Sequence, residues 1–490
     1  MLDDELQSAL DKRAAKGTLR QLTVYPTIPS SSCSSATAAS SQQPLVDFSS
    51  NDYLSLATSS RVCADFASIV TRNSTLSSQL GSAGSRLLDG NSAIHEEIEN
   101  DLTEHFGSST AGLLFNSGYE ANVSLLSTLP QPKDVVIYDE LVHASVHDGL
   151  RRSRVPAHLR IPFQHNSVEH LEQILARLKQ DGTLTTGCSS SSSSGGSGTG
   201  ATGRNVWLAV ESVYSMDGDV CPLESLLDTM SRYVDRNRIC TVVDEAHSTA
   251  LYGSRGRGLV NALGLQADPR IAARLMTFGK AWGASGAIVL CSKTARHYLI
   301  NYARPLIFST ALGYPQLASI LASFNSIKDG TAQVAARKTF SNARRLVDGF
   351  EAVIRAQTAG TQRSVALPPH LRPDFAGSGG KQREETDFVS WSMQQPSPII
   401  PLLTDHARDL AAHLRSNGLL ARPICYPTVP KGEDRVRICV HADNTVEDID
   451  RLIQCVRQWV DADERQLRGL ARGAQDGRIR TSAQLLASKL

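Results

Sequence analysis

Two residues of opposite chemistry close two apolar runs in this chain. Asp244 ends ICTVVD, which puts a carboxylate at the tip of a strand-like segment. Lost hydration penalises an anion there unless a cation or hydrogen-bond donors meet it. Lys280 follows LMTFG and precedes AWGASGA, whose small side chains leave room for a bulky group beside the amine. A lysine at a strand end facing a cavity can have its pKa lowered, as nucleophilic amine chemistry requires. Alone, Asp244 would serve equally as a helix cap, and Lys280 as a loop residue. Together, 36 residues apart, one strand tip supplies an anion and another an amine. A third part lies in LLFNSGYEANVSLL, where an apolar run turns at Ser117-Gly118 into a helix beginning near Tyr119. The free N–H groups of that first turn can hold a dianion. Amine, anion and helix N-terminus are what a phosphorylated pyridine aldehyde needs: an imine, a partner for its protonated ring nitrogen, and a phosphate site.

The elements that must position these groups are legible in the patterning. Short β-branched runs (DVVIYD, NVWLAVES, ICTVVDEAH, RLMTFGK, GAIVLCS) alternate with helical patterns, which indicates an α/β domain with a largely parallel sheet. Ligands of such sheets bind beyond the carboxyl ends of the strands. We read residues 1–50 as an amino-terminal helix and arm, 51–310 as the large cofactor domain, 311–462 as a smaller α+β domain and 463–490 as an exposed tail. The smaller domain is read from helical patterns followed by SPIIPLL, HARDLAAHLRSNG, RVRICVHA and VEDIDRLIQCVRQWV. Residues 30–43 and 188–203 are Ser/Gly-rich surface insertions, and 367–387 is a polar loop. The glycine-rich 195–203 lacks the Lys-Ser/Thr ending of a phosphate loop and reads as linker.

Composition bounds the partners. With 50 Lys+Arg against 49 Asp+Glu there is no overall field to attract nucleic acid or an anionic membrane, so small molecules are the expected ligands. The 490 residues, 41% of them hydrophobic, can bury a large core. No run of about 18 apolar residues is present to cross a bilayer. Nine scattered cysteines without a CxxC pair fit a reducing compartment and predict neither a disulfide framework nor a metal site. The last three residues, Ser488, Lys489 and Leu490, spell the address read by the peroxisomal import receptor, and predict peroxisomal rather than cytoplasmic residence.

Five motifs in order, FSSNDYL, GSAGSRLLDGNSAIHEEIE, ESVYSMDGD, VDEAHSTALYGSRGRG and TFGKAWGASGA, resemble the α-oxoamine synthases. These are pyridoxal-phosphate (PLP) enzymes of fold type I, with a large, mostly parallel α/β domain and a smaller α+β domain. The resemblance runs from about residue 5 to 460, the insertions apart. It implies that Lys280 carries PLP as the imine, Asp244 pairs with the ring nitrogen, His247 lies near the ring hydroxyl and His143 stacks on the ring. Ser215 is implied for the phenolic oxygen, and Thr277, Gly118 and Tyr119 for the phosphate. Thr310 of a second subunit is implied to complete that phosphate site, hence a homodimer. Asn51 and Arg437 are implied for the amino-acid carboxylate, Glu211 for orienting the site, and Arg20, in the amino-terminal helix, for the acyl chain or its far carboxylate.

Members of this family join an amino acid to an acyl-CoA with loss of carbon dioxide. GSRLLDGN, ARPICYPTVPKGEDRVRI and RAAKGTLR look most like the branch that condenses L-alanine with pimeloyl-CoA, in biotin biosynthesis, to 8-amino-7-oxononanoate. Glycine acetyltransferases and secondary-metabolite condensing enzymes are the alternatives. Glu245 and Ser248 stand where Asp and Gly are common in the family, and Asp89 where Ser is frequent.

Overall fold

The computed structural model describes residues 1–25, 44–107, 111–184, 204–357, 364–372, 387–463 and 465. The two Ser/Gly-rich insertions, most of the polar loop and the carboxyl-terminal tripeptide lie outside the described residues. An amino-terminal helix, α1 (Leu2–Ala15), precedes a central sheet of seven strands. These are β1 (Ala111–Phe115), β2 (Val135–Asp139), β3 (Arg160–Phe163), β4 (Val206–Glu211), β5 (Ile239–Asp244), β6 (Ile271–Thr277) and β7 (Ala287–Cys291), in the order β1-β7-β6-β5-β4-β2-β3.

The five predicted runs all form strands. Strands β3, β2, β4, β5 and β6 are mutually parallel, whereas β7 runs antiparallel to both β6 and β1. A strand buried on both faces reads as an unbroken apolar run, so the pattern could not give β7 its direction. The connection decides it: nine residues join Thr277 to Ala287, too few for the crossover that a parallel pair needs. Strand β3, RIPF, was not predicted. It lies at the sheet edge, where Pro162 removes no obligatory ladder bond.

Both faces of the sheet are covered. Leu275 and Val289 enter one core, while their neighbours Met276, Ile288 and Leu290 enter another, as a two-residue period requires. Helices α2 (Gly118–Thr128) and α3 (Ala144–Arg152) follow β1 and β2. Helix α4 (Tyr314–Lys328) and the first half of α5 (Thr331–Ala356) pack with residues from 53–106. From Ala343 onward α5 belongs to a third core, built on the small antiparallel sheet β9-β10-β8, with β8 Ile399–Leu403, β9 Arg422–Ile424 and β10 Arg435–Cys439. Val46 and Phe48 of the amino-terminal arm complete that core. No helix among the described residues is long and apolar enough to cross a membrane.

Glu245, one of the departures noted in the sequence, has a structural explanation. Its Oε1 accepts from Arg274 Nε at 2.6 Å, and its Oε2 from the Val260 amide at 3.1 Å, with both side chains of the ion pair buried. The next strand thus anchors the loop that follows Asp244. Removing one partner leaves an uncompensated buried charge, so Arg274→Ala should cost about 3–5 kcal/mol of stability. Urea denaturation checks this, and a loss below 1 kcal/mol would mean the pair is dispensable.

Candidate active site

Strands β4 and β5 run parallel and in register, so Glu211 and Asp244 end side by side. Both are buried. Asp244 Oδ2 accepts from Asn122 Nδ2 at 2.6 Å and Oδ1 from the Ala246 amide at 2.9 Å. Among the described residues no ion pair includes it, so a buried carboxylate faces the site with donors but without a cation at contact distance. Glu211 Oε1 accepts from the His143 amide at 2.5 Å. Burial first, and the neighbouring Asp244 second, push the Glu211 carboxyl up to about 8.

Lys280 lies in the turn joining β6 to β7. Gly283 makes the turn possible, with φ +62° and its Cα packed so closely that a Cβ would stand 2.3 Å from the Ala57 amide nitrogen. Burial lowers the Lys280 pKa, and Asp244 and Glu211 oppose that fall. Its Nζ lies 2.9 Å from His247 Nε2. An ammonium only donates, so His247 accepts at Nε2 and carries its proton on Nδ1, 2.7 Å from the Tyr53 hydroxyl. Burial, and then the cations Lys280 and Arg437, hold the His247 pKa well below its ordinary value, in keeping with a neutral ring. Tyr53 donates to Asn51 Oδ1 at 3.1 Å, and Arg437 Nη2 donates to the same oxygen at 3.0 Å. One chain of polar contacts therefore joins the lysine amine to the guanidinium.

Arg437, in β10, is buried and oriented by Nε donating to the Ser215 carbonyl at 2.6 Å and Nη1 to Cys439 Sγ at 2.9 Å. The loop that carries Ser215 is clamped by His165, whose ring meets Asp139 Oδ1 at 3.0 Å and Asp219 Oδ2 at 2.8 Å. Burial alone would lower the His165 pKa, but these two carboxylates push it up to about 10. Asp217 of the same loop pairs with Arg435, so β10 is tied to the large domain at two points.

At the other end of the site, Ser117 caps α2 by accepting from the Glu120 amide at 3.2 Å. The Gly118 and Tyr119 amides in that first turn have no intrahelical acceptor. A Cβ on Gly118 would meet Thr277 Oγ1 at 3.4 Å, so the helix start and the end of β6 face one another. The Tyr119 side chain turns outward, its hydroxyl bonded to Asp148, which leaves only its backbone for an anion. Thr310 is exposed, and its carbonyl accepts from Asn116 Nδ2 at 2.8 Å, beside the same helix start. Arg20 departs from expectation: α1 stops at Ala15, Gly17 takes φ +62°, and Arg20 is exposed on the strand-free segment beyond the helix.

Residues far apart in sequence thus converge: Lys280, His247, Glu211, Asp244 and His143 at one end, Arg437, Asn51 and Ser215 at the other, Gly118 and Thr277 at the helix start. PLP fits this constellation. The site offers a desolvated amine, a buried carboxylate without a cation, and unpaired helix amides, the three groups the cofactor's aldehyde, ring nitrogen and phosphate require. Sequence reasoning missed Tyr53, Asn122 and Ser145, whose hydroxyl lies 2.7 Å from His143 Nδ1. Tyr53 sits inside the quoted FSSNDYL motif, but nothing in its type marked it as the link between His247 and Asn51.

Fold and site together define a PLP-dependent enzyme of fold type I. The model of the family "Aminotransferase class I and II" matches residues 43–456. An 8-amino-7-oxononanoate synthase of Emericella nidulans is 40% identical over 95% of this chain and 97% of its own. An aminoacyl transferase, sphA, of Aspergillus fumigatus is 33% identical over 90% and 85%. A structure of serine palmitoyltransferase from S. paucimobilis, with bound PLP, superposes with a TM-score of 0.68 at 23% identity, covering 93% of this chain and 96% of that one. The chain belongs to the class I and II aminotransferase family and, within it, to the α-oxoamine synthases.

The raised Glu211 pKa has a consequence for stability. Between about 4.5 and about 8 the native state holds a proton that the unfolded chain has released, so stability falls as pH rises through that window. Glu211→Gln removes this fall. Its stability advantage over the parent apoprotein should grow from pH 6 to pH 8 in urea denaturation and level off above. A difference independent of pH would mean that Glu211 is ionised throughout.

Proposed function

We propose that this enzyme condenses L-alanine with pimeloyl-CoA, giving 8-amino-7-oxononanoate, CoA and carbon dioxide, a reaction of biotin biosynthesis. The observation that carries the reading is the 40% identity to the Emericella enzyme of that name over nearly the whole of both chains. The site geometry supports it. Bound PLP supplies an electron sink for the charge left at the amino acid's Cα. Arg437, with its fork fixed by Ser215, Cys439 and Asn51, presents a pre-oriented guanidinium to the substrate carboxylate. Lys280, desolvated and so more easily neutral, is the group to take the Cα proton and return it at the end of the cycle. Asp244 would hold the protonated ring nitrogen of the cofactor and so keep the ring electron-poor enough to draw that charge. His143 would donate from Nε2 to the oxyanion that forms when the substrate carbon attacks the thioester carbonyl and that collapses as CoA leaves.

A homodimer, in which Thr310 of a second subunit completes the phosphate site, belongs to this proposal, as does import into peroxisomes through Ser488-Lys489-Leu490. Peroxisomal shortening of fatty acids would supply the acyl-CoA. A second reading, a different amino acid and acyl chain, is favoured by the 33% identity to the sphA aminoacyl transferase.

CoA release should be measured with alanine, glycine and serine against acyl-CoAs of graded length, with and without a terminal carboxylate. Alanine with pimeloyl-CoA should give the largest kcat/KM, and preference for any other pairing of amino acid and acyl chain would transfer the assignment to the second reading. Lys280→Ala should abolish turnover and the attachment of PLP that borohydride reduction makes permanent; appreciable condensation by that variant would exclude the scheme. Arg437→Ala should raise the KM for alanine roughly 30- to 100-fold, the value of a charged, forked contact. A fluorescent protein fused ahead of the chain should mark peroxisomes and lose that pattern when residues 488–490 are deleted; an unchanged pattern would refute the targeting.

A further inference from the structure

Asn122 lies on α2, one turn beyond the helix start, and is almost wholly buried. Its amide nitrogen reaches two acceptors, Asp244 Oδ2 at 2.6 Å and Ser145 Oγ at 3.0 Å. The amide cannot be turned over, because its oxygen would then face the Asp244 carboxylate, acceptor against acceptor. Ser145 is also buried, in the first turn of α3. Since its hydroxyl oxygen accepts from Asn122, its single proton is directed to His143 Nδ1, 2.7 Å away. The Ser145 amide approaches the same nitrogen at 3.2 Å. Nδ1 is therefore an acceptor, and a neutral ring must carry its proton on Nε2.

The helix pair is built for this contact. Gly149 of α3 lets α2 approach so closely that a Cβ there would stand 2.9 Å from Leu126 Cβ and 3.1 Å from the Asn122 carbonyl oxygen. We propose that Asn122 and Ser145 are positioning residues that join the Asp244 carboxylate to the His143 imidazole in one polarised relay. The relay fixes the rotamer that Asp244 presents to the ring nitrogen and the Nε2–H tautomer that His143 presents to the opposite side. Neither residue touches reacting atoms; both act through the groups that do. The inference rests on the PLP site and not on the choice of alanine or pimeloyl-CoA, so a failed substrate assignment leaves it standing.

The test has two arms. In the apoprotein labelled with ¹⁵N-histidine, with His143 assigned by loss of its signal in His143→Gln, the ring should show an unprotonated Nδ1 and a protonated Nε2. Asn122→Leu, which does not touch the imidazole, should shift the Nδ1 resonance, whereas Ser124→Ala, a buried control on the same helix, should not. In the second arm, PLP affinity is measured by equilibrium dialysis. Asn122→Leu and Ser145→Ala should each weaken binding roughly tenfold, and the double variant by about the same factor, as expected of members of one relay. A protonated Nδ1 in the parent, an Nδ1 resonance indifferent to Asn122→Leu, or a double variant near a hundredfold weaker would each overturn the relay.

Discussion

Two carboxylates held side by side out of water are the constraint on which this molecule turns. Glu211 and Asp244 end adjacent parallel strands in register, and neither can stay anionic there without donors and nearby positive charge. Asp244 is met by the Asn122 side-chain amide and a backbone N–H, and Glu211 by the His143 amide, while Lys280 supplies the amine opposite. Burial first and the neighbouring Asp244 second displace the Glu211 carboxyl upward, while burial displaces the Lys280 amine downward against the pull of both carboxylates. A site poised in this way has a place for the one more positive charge that a protonated pyridine ring would add.

The surrounding architecture holds that constraint from two directions. Polar contacts run from Lys280 through His247 and Tyr53 to Asn51 and Arg437, crossing from the large domain to the small sheet. Ser215, Asp217 and the His165 clamp fasten the same crossing from the other side. The substrate-carboxylate end and the proton-transfer end are thus parts of one hydrogen-bonded frame, so a shift of β10 is felt at the lysine. Glu245 plays a comparable part beneath the site, where its pairing with Arg274 pins the loop after Asp244 to the next strand.

Much of this was legible before any coordinate. Five apolar, β-branched runs announced five strands, and the carboxylate and amine closing two of them announced the cofactor. What failed to show had identifiable causes. The direction of β7 is invisible in a run buried on both faces; β3 is short and carries Pro162; Arg20 was drawn into a helix that Gly17 ends. Asn122, Ser145 and Tyr53 are of types that occur everywhere, and their value comes only from what stands opposite.

The sequence by itself determined the chemistry, because a lysine, an aspartate and a glycine at a helix start keep their character wherever the chain carries them. Their order along it also identified the family. Only the tertiary structure decided the working state of each group. Whether Glu211 is charged, which nitrogen of His247 bears the proton and how Arg437 meets Asn51 depend on partners 33 to 386 positions away. Those partners come within reach only when separate strands end on the same edge of a sheet, and no local pattern records that distance.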